Sequence, residues 1–542
     1  MRATCVDYRQ LPAQNPLFLD FLYDFEKVES FYSFPSGLDQ LKRRAQWVLE
    51  QGNRYPRQTL VSLLRSFNKR IGCGEAALEN VERLESPRGL TILTGQQVGL
   101  FGGPALAVYK AATTILAARA LEQEGYSVVP VFWLAADDSD FQEAASTTFL
   151  GEHAEPVEIR YPRTHAKIHR MVGTVLLSEV DECLRQLQQR TPTADHKSFV
   201  IHLLRQSYRA DRTFSEGFAA WMSRLFQDYG LVLFDPLSPG FRRQVQPAVA
   251  RAVEKRTEIL RSLHEHARQL RERGLQPQVA VDGTETLLFW VEGNNRYKLE
   301  FLNGCFSAKR RPSRLAEEEL LGALRASPER LGHNVLLRPI LQDHFFPVVV
   351  YVGGPSEIAY YSQVRAICNA WGIETEIFPR AGITLVDRKS QRLLNKYKFR
   401  VTDLFDSTGL ELAGRVLAKE DAGQVLEGLT GVKDQLIGGL AALKPALGKT
   451  DPPLSQMMDG AQKKILYQIE KVERRFVANQ REHQSHLGRH LDYLYARLLG
   501  RRRLQERSIN FNQFLMEEGP GLVGRLMSEM KPFCKAHQIL YV

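Results

Sequence analysis

Apolar and polar positions follow two different periods along this chain, and the change of period divides it. Up to about residue 388, short apolar runs stand between longer segments of helical spacing. Ile92-Leu93, Val128 to Ala135, Leu231 to Asp235 and Pro347 to Val352 are such runs. A run apolar on both faces predicts a strand buried between helix layers. After the first run, Leu106, Tyr109, Ala112, Leu116 and Ala120 recur at helical spacing, with Pro104 as a first helical residue and Gly125 as the stop. After the fourth, Ile358, Tyr361, Ile367 and Trp371 predict an inward helix face, with Gly372 as the stop and Ile373 to Phe378 as a further strand. On that helix Tyr360 and Tyr361 are not expected to face inward together. Strands alternating with helices predict an α/β fold with a parallel sheet.

The intervening segments read differently. Residues 1–90 look helical, with Phe21, Phe25 and Val28 on one face. Val157 to Tyr161 and Val172 to Leu177 predict strands of an insertion. Residues 196–229 read as helices and 240–273 as one long basic helix. Leu287 to Trp290 and Tyr297 to Phe301 flank Gly293-Asn-Asn, a hairpin signal. From about 389 helical periodicity takes over. Leu426, Leu429, Val432, Leu436, Leu440, Leu443 and Leu447 step by threes and fours. After Lys449-Thr-Asp-Pro-Pro453 a second series holds Ala461, Ile465, Ile469, Val472 and Phe476, then Leu487, Leu491, Leu494 and Leu498. Two heptad-like helices around a proline turn predict an antiparallel coiled-coil hairpin. The second helix would reach roughly 70 Å. The polar interval Asn479 to Ser485 marks a weak seam or a partner contact. In the tail, Phe511, Phe514 and Leu515 need burial, so it should return to the globular part. The expected organisation is a core over 1–388 with insertions near 143–200 and 255–335, a helical hairpin over 389–508 and a tail over 509–542.

Composition narrows the function classes. A 542-residue chain that is 44% hydrophobic has ample core. No run of about 18 apolar residues exists, so no membrane span is expected. The first residues hold no apolar signal region. Cys5, Cys73, Cys183, Cys305, Cys368 and Cys534 stand far apart, without metal-ligand spacing or a disulfide framework. These features predict a cytoplasmic protein. A net charge of +10 suits nucleotides, acidic sugars or nucleic acid. The basic residues lack aromatic interleaving, which disfavours nucleic acid. His165, His169, His264 and His266 have no cysteine or third ligand nearby, so zinc is disfavoured and no metal site is assigned.

The candidate chemistry centres on two glycine turns. Thr91-Ile-Leu-Thr-Gly-Gln-Gln-Val-Gly-Leu-Phe-Gly-Gly-Pro104 joins a strand to a helix through Gly95, Gly99, Gly102 and Gly103. Gly353-Gly354-Pro355-Ser-Glu357 repeats the arrangement. Backbone N–H groups and a helix start can face an anion there. A tight structural turn fits the same residues equally. Thr94, Gln96 and Gln97 add side-chain donors and acceptors, and Lys110 offers charge unless it is a solvated surface lysine. In one parallel sheet, two such turns would meet at the strands' carboxyl ends.

Several segments together resemble the bacillithiol biosynthesis cysteine-adding enzymes, the BshC family. They are Thr94 to Pro104, Val131-Phe-Trp-Leu-Ala-Ala-Asp-Asp-Ser-Asp-Phe141, Leu337-Arg-Pro-Ile-Leu-Gln-Asp343 and Tyr351-Val-Gly-Gly-Pro-Ser-Glu-Ile-Ala-Tyr360. Pro379-Arg380, Leu504-Gln-Glu-Arg507 and Asn510 also fit. The resemblance covers nearly the whole chain in the family's order. It implies a Rossmann-like core with two inserted connecting segments, similar to class I synthetases, and a coiled coil that helps form a homodimer. It also implies ATP-dependent joining of cysteine to glucosaminyl-malate, with magnesium as a candidate companion of the nucleotide.

Within that frame the site residues are assigned. Amide formation needs an activated carboxylate, as an adenylate or an acyl phosphate. Gln96, Gln97, Asp137 and Asp138 are the candidate catalytic residues. Class I adenylate formers place histidines in the corresponding loop, and this one has none. Asp137 and Asp138 can hold magnesium or the amino group of cysteine, while Asp140 with Glu143 is spaced as a capping box. Thr94, Gly95, Gly99, Gly102, Gly103, Arg338, Asp343, Gly353, Gly354, Glu357, Tyr360 and Arg380 are candidates for substrate or anion binding. Arg338 and Arg380 suit malate carboxylates, with structural salt bridges as the equal alternative. Arg388-Lys389-Ser390 follows the last strand, and Arg501, Arg502, Arg503 and Arg507 cluster near the coiled coil's end. Thr384, Arg388, Tyr493, Arg507 and Asn510 are assigned to a second nucleotide pocket. Two other functions compete: a synthetase-like nucleotide- or RNA-binding protein, and a non-catalytic nucleotide-binding scaffold.

Overall fold

A computed structural model describes residues 2–52, 54–162, 169–308, 314–418, 423–483, 485–500 and 503–542. Of the residues singled out above, His165, Arg501 and Arg502 lie outside these. The chain opens with β1 (Arg2–Val6) and four helices, Pro16–Tyr23, Leu38–Glu50, Arg57–Ile71 and Glu75–Arg83. β2 (Gly89–Gln97), the helix Leu106–Gln123 and β3 (Ser127–Ala135) make the first βαβ unit. An antiparallel hairpin, β4 (Ser146–Leu150) and β5 (Pro156–Arg160), leads to helices and then to β6 (Val232–Phe234). A second insertion carries β7 (Glu285–Glu292), β8 (Asn295–Leu302), β9 (Cys305–Ala308), β10 (Arg314–Leu315) and β11 (Leu331–His333). β12 (Val348–Gly353), the helix Pro355–Cys368 and β13 (Ile377–Pro379) complete the core, followed by β14 (Ile383–Val386). β15 (His537–Tyr541) ends the chain.

The core sheet has the order β13-β12-β2-β3-β6, and every pairing is parallel. From β2 the chain winds toward β3 and β6; from β12 it winds the other way, to β13. The strand order therefore reverses between β2 and β12. At such a switch point two crossover helices diverge and leave a crevice beyond the carboxyl ends of the strands. Apolar side chains bury both faces of the sheet, and the interior of β2, β3 and β12 is wholly buried.

The crossover helices are buried almost all round, which changes two expectations. Lys110 is not a solvated surface lysine but is 3% exposed. Tyr360 and Tyr361 both face inward, because the helix Pro355–Cys368 packs against Pro16–Tyr23 and Leu337–Phe345 as well as the sheet. Tyr361 stacks on Tyr351, and Tyr360 lies beside Arg338.

Other local expectations shift too. The helix after β2 starts at Leu106, and Pro104 instead bridges to Asn510. Val172 to Leu177 is not a strand. Val172–Thr174 is a single tight turn whose first two amides bond to the carbonyls of Asp138 and Ala136 at 2.7 and 2.8 Å. The basic segment 240–273 is two helices, Pro239–Glu254 and Arg256–Glu272, broken at Lys255. The strand expected over Ile373 to Phe378 is confined to Ile377–Pro379.

β14, β15 and β1 form a small second sheet, β15 lying between the other two. It joins the first residues of the chain to the last. The tail turns back from the helical region, and Phe511, Phe514 and Leu515 are buried in the core. In the helical region Gly423–Thr450 and Pro452–His483 pack against each other, about 42 and 48 Å long. Ser485–Leu499 is also helical, and residue 484, which falls within the 70 Å span read from periodicity, lies outside the described residues. Leu426 and Val477 are buried and Leu436, Ile469 and Phe476 half-buried, whereas Val432, Leu443, Ile465 and Val472 are exposed. The apolar repeat is thus wider than one helix–helix seam uses.

The first glycine turn is itself packed. Phe101 has φ +51°, Gly102 +91° and Gly103 +63°. A Cβ on Gly102 would lie 2.3 Å from the Trp221 ring. Gly102→Ala should therefore cost about 3 kcal/mol, from steric conflict and left-handed backbone strain together. Gly125→Ala, with φ +88° but open space around it, should cost only about 1 kcal/mol. Urea midpoints of the two variants against the parent measure the difference.

Candidate active site

β2 and β12 are neighbours, so the two glycine turns leave the sheet side by side. Between them lies a buried ion pair. Lys110 Nζ is 2.5 Å from Glu357 Oε2 and donates to the Gly95 carbonyl at 2.7 Å and to Gln96 Oε1 at 3.2 Å. Glu357 accepts from the Gly354 amide at 2.7 Å and from the Tyr351 hydroxyl at 2.8 Å. One carboxylate thus caps its own helix and clamps the opposite crossover. Burial drives the Lys110 ammonium down to about 8, against the pull of Glu357. Burial alone would raise the Glu357 carboxyl, but the Lys110 and Arg338 charges outweigh it and hold it below the ordinary carboxylate range.

Arg338 lies 3.8 Å from Glu357, over the Tyr351 ring, and donates to the Tyr360 hydroxyl. Arg380 is engaged differently. It makes a bidentate pair with Glu506 at 2.8 and 2.5 Å, and Glu506 also accepts from the Ile383 amide. Burial would raise the Glu506 carboxyl, yet the Arg380 charge brings it down to about 2. Arg380 is therefore already neutralised by a protein carboxylate.

A cavity of about 390 Å³ opens between the starts of the two crossover helices. Gln96, Pro104 and Leu106 line it from one turn, and Pro355, Ser356 and Arg380 from the other. Tyr8 and residues 12–15 close one side; Arg503, Leu504, Glu506 and Arg507 close another. A second cavity of about 420 Å³ shares Pro104, Glu143, Arg503 and Arg507 with the first. The amides of Ser356 and Glu357 sit in the first helical turn, where no helical acceptor exists.

The remaining assigned residues divide into those near this crevice and those away from it. Thr94 is fully buried and bonds the Val352 carbonyl, so it ties two strands. Gly99, Gly102 and Gly103 close on themselves: the Gly102 amide is shared by Gly99 O and the Tyr208 hydroxyl, and the Gly103 amide bonds Leu100 O. Gly353 is pressed between Ile377 and Glu357. Gln97 points away from the crevice to Asp138, at 3.1 Å. Asp138 is held by Arg296 at 2.6 Å, and Asp137 lies 3.9 Å from Arg296 and 3.6 Å from His333. Burial alone would raise Asp137; His333 when protonated, Arg296 and Arg242 hold it low. Burial lowers His333 to about 4, so its ring is neutral at pH 7. Asp140 caps the short helix Phe141–Ala144 through the Glu143 amide. Asp343 pairs with Arg44 at 3.0 Å, away from the crevice, and burial raises it to about 7.

Of the five residues assigned to a second nucleotide pocket, only Arg507 lines a cavity described above. Thr384 bonds His537. Tyr493 bonds Asp387, which caps the helix Arg388–Tyr397, and Arg388 is exposed. Asn510 donates to the Phe101 carbonyl at 2.9 Å and to Thr147 at 2.8 Å, fastening the tail to the first glycine turn. Sequence reasoning passed over Arg296, His333 and Glu506. The first two come from the second insertion, which carries no local signal of where it docks. Glu506 lay within a quoted segment, with nothing to mark it as the partner of Arg380.

Residues 1–381 match the family described as bacillithiol biosynthesis BshC, N-terminal Rossmann-like domain, and residues 383–542 match bacillithiol biosynthesis BshC, C-terminal coiled-coil domain. The chain belongs to the BshC family. Relatives named "Putative cysteine ligase BshC" extend over almost their whole lengths. The one from Koribacter versatilis is 32% identical over 99% of both chains, and that from Solibacter usitatus 32% over 100% of both. The one from Bacillus cereus is 28% identical over 96% of both. Among the described residues no helix is long and apolar enough to cross a membrane.

The Arg380–Glu506 clamp yields a pH prediction. The folded carboxyl titrates near 2 rather than the ordinary 4.5. Its contribution is present above pH 4.5 and fades as pH falls toward 2. Glu506→Gln should lower the urea midpoint at pH 7, and the gap from the parent should narrow steadily below pH 4.5.

Proposed function

We propose that this chain is a cysteine ligase of bacillithiol biosynthesis, which uses ATP to activate the cysteine carboxylate and transfers cysteine to the amino group of glucosaminyl-malate. The supporting observation is the crevice at the switch point. It lies where α/β sheets bind ligands, has a volume suited to a small molecule and combines open first-turn amides with Gln96, Arg503 and Arg507. Membership of the BshC family supports the substrates.

The chemistry follows from the groups present. A carboxylate resists amide formation because its leaving group is poor; ATP supplies a better one, as an adenylate or an acyl phosphate. Phosphate oxygens would lie against the Ser356 and Glu357 amides, with Arg503 and Arg507 as the counter-charge. Gln96 donates without adding charge. The Lys110–Glu357 pair keeps Gln96 and the two turns at a fixed separation, so the donors are oriented before substrate arrives. Among the described residues no group of three His, Cys, Asp or Glu side chains is gathered for a metal ion. Magnesium would therefore enter on the nucleotide's phosphates. Asp137 and Asp138 are paired with Arg296 away from the crevice and carry no step here.

Pure protein given ATP, magnesium, cysteine and glucosaminyl-malate should form the cysteinyl amide with stoichiometric AMP or ADP, read by mass spectrometry. Neither product nor nucleotide cleavage would overturn the proposal. Lys110→Met should lower kcat by roughly 100-fold or more through lost preorganisation.

We also propose a homodimer. Val432, Ile437, Leu443, Ile465 and Val472 expose apolar surface along the helical hairpin, and a second copy would cover it. Light scattering should give twice the 61.7 kDa chain mass, and Leu443→Glu with Val472→Glu should give the monomer.

A further inference from the structure

We propose that Cys5 and Cys534 form an oxidisable thiol pair, which a low-molecular-weight disulfide converts into an intramolecular bridge between the first strand and the C-terminal tail. The two Sγ atoms stand 3.4 Å apart although they are 529 positions apart in sequence. Cys5 is exposed and Cys534 half-buried, so a small oxidant can reach them. Both are held in place before any reaction. Cys5 lies in β1, opposite Gln538 of β15. The Gln538 side chain accepts from the Lys531 amide and donates to the Lys531 carbonyl, both at 2.9 Å, which closes the loop carrying Cys534. Tyr23 donates to the Lys535 carbonyl at 2.7 Å, and Phe533 packs edge-on against Phe378.

The exchange balances. One Cys thiolate attacks the small disulfide and expels one small thiol; the second Cys thiolate then attacks the mixed disulfide and expels the other. Two electrons pass to the oxidant, and the two cysteine protons end on the two released thiols. Burial, then contact with Cys534, pushes the Cys5 thiol up to about 11, partly countered by the Lys531 ammonium. Cys5 is therefore protonated and slow at neutral pH, and its reaction quickens as pH rises. The consequence is local to the crevice wall. β1 runs directly into Tyr8, whose hydroxyl accepts from the Gly382 amide and whose ring lines the cavity. Oxidation would fasten that wall to the tail, whatever the cavity binds.

The full chain is treated with excess 2-hydroxyethyl disulfide, alkylated, digested without reductant and analysed by mass spectrometry. The expected result is a linked Cys5–Cys534 peptide, two fewer alkylatable thiols and a dithiothreitol-reversible Tm increase of roughly 4 °C. Its rate should rise as pH rises from 7 to 9. Cys5→Ser should give no linked peptide and no Tm increase, with a small-thiol adduct left on Cys534. Separate adducts on both cysteines of the parent, two unreacted thiols, or a bridge between two chains would overturn the proposal.

Discussion

The contact between Lys110 and Glu357 sets the terms for the rest of this structure. Each residue belongs to a different crossover helix, and the helices depart from adjacent strands in opposite directions. Neither charge tolerates burial alone. Removing one partner of such a pair costs about 3–5 kcal/mol, because the other is left uncompensated. The Gly95 carbonyl, the Gly354 amide, Tyr351 and Gln96 supply the hydrogen bonds that the desolvated charges need. The switch point is consequently polar and fixed in width. An apolar filling there would have closed the crevice.

A second clamp closes the molecule from behind. Glu506 and Asn510 belong to the segment that follows the helical region, yet they bind Arg380, Ile383 and Phe101 in the core. Arg503, Leu504, Glu506 and Arg507 thus form one wall of the crevice. This explains why the helical hairpin is not a loose appendage of the site: its exit segment delivers Leu504, Arg507 and the carboxylate that neutralises Arg380. The net charge of the sequence is +10. Near the crevice Lys110, Arg338 and Arg380 are each engaged by protein partners, and Arg503 and Arg507 line the cavity.

The periodicity of the chain carried much of the architecture. Runs such as Val128 to Ala135 are apolar on both faces, and only a strand between two helix layers satisfies that. The alternation with helical spacing then requires a parallel sheet. Short strands escaped the same reading. β1 and β15 have five residues each and gain their order from pairing with each other across the whole chain. The helical region was legible as two packed helices, but its apolar rows exceed one seam. Spacing alone does not say which row faces the neighbour.

For the site, the glycine turns and the residues on them were visible because their spacing and their helix starts are local. Their roles were not. Whether Gly102 offers its amide to a ligand or to Tyr208 depends on a side chain 106 residues away. Whether Arg380 awaits a carboxylate depends on Glu506, and whether Asp137 is open depends on Arg296 and His333. The sequence by itself determined the strands, the crossover helices, the two turns and the family. Only the tertiary structure decided which charges are buried, which are already paired and which still face the cavity, because desolvation and pairing depend on distances that the chain sets only when it is folded.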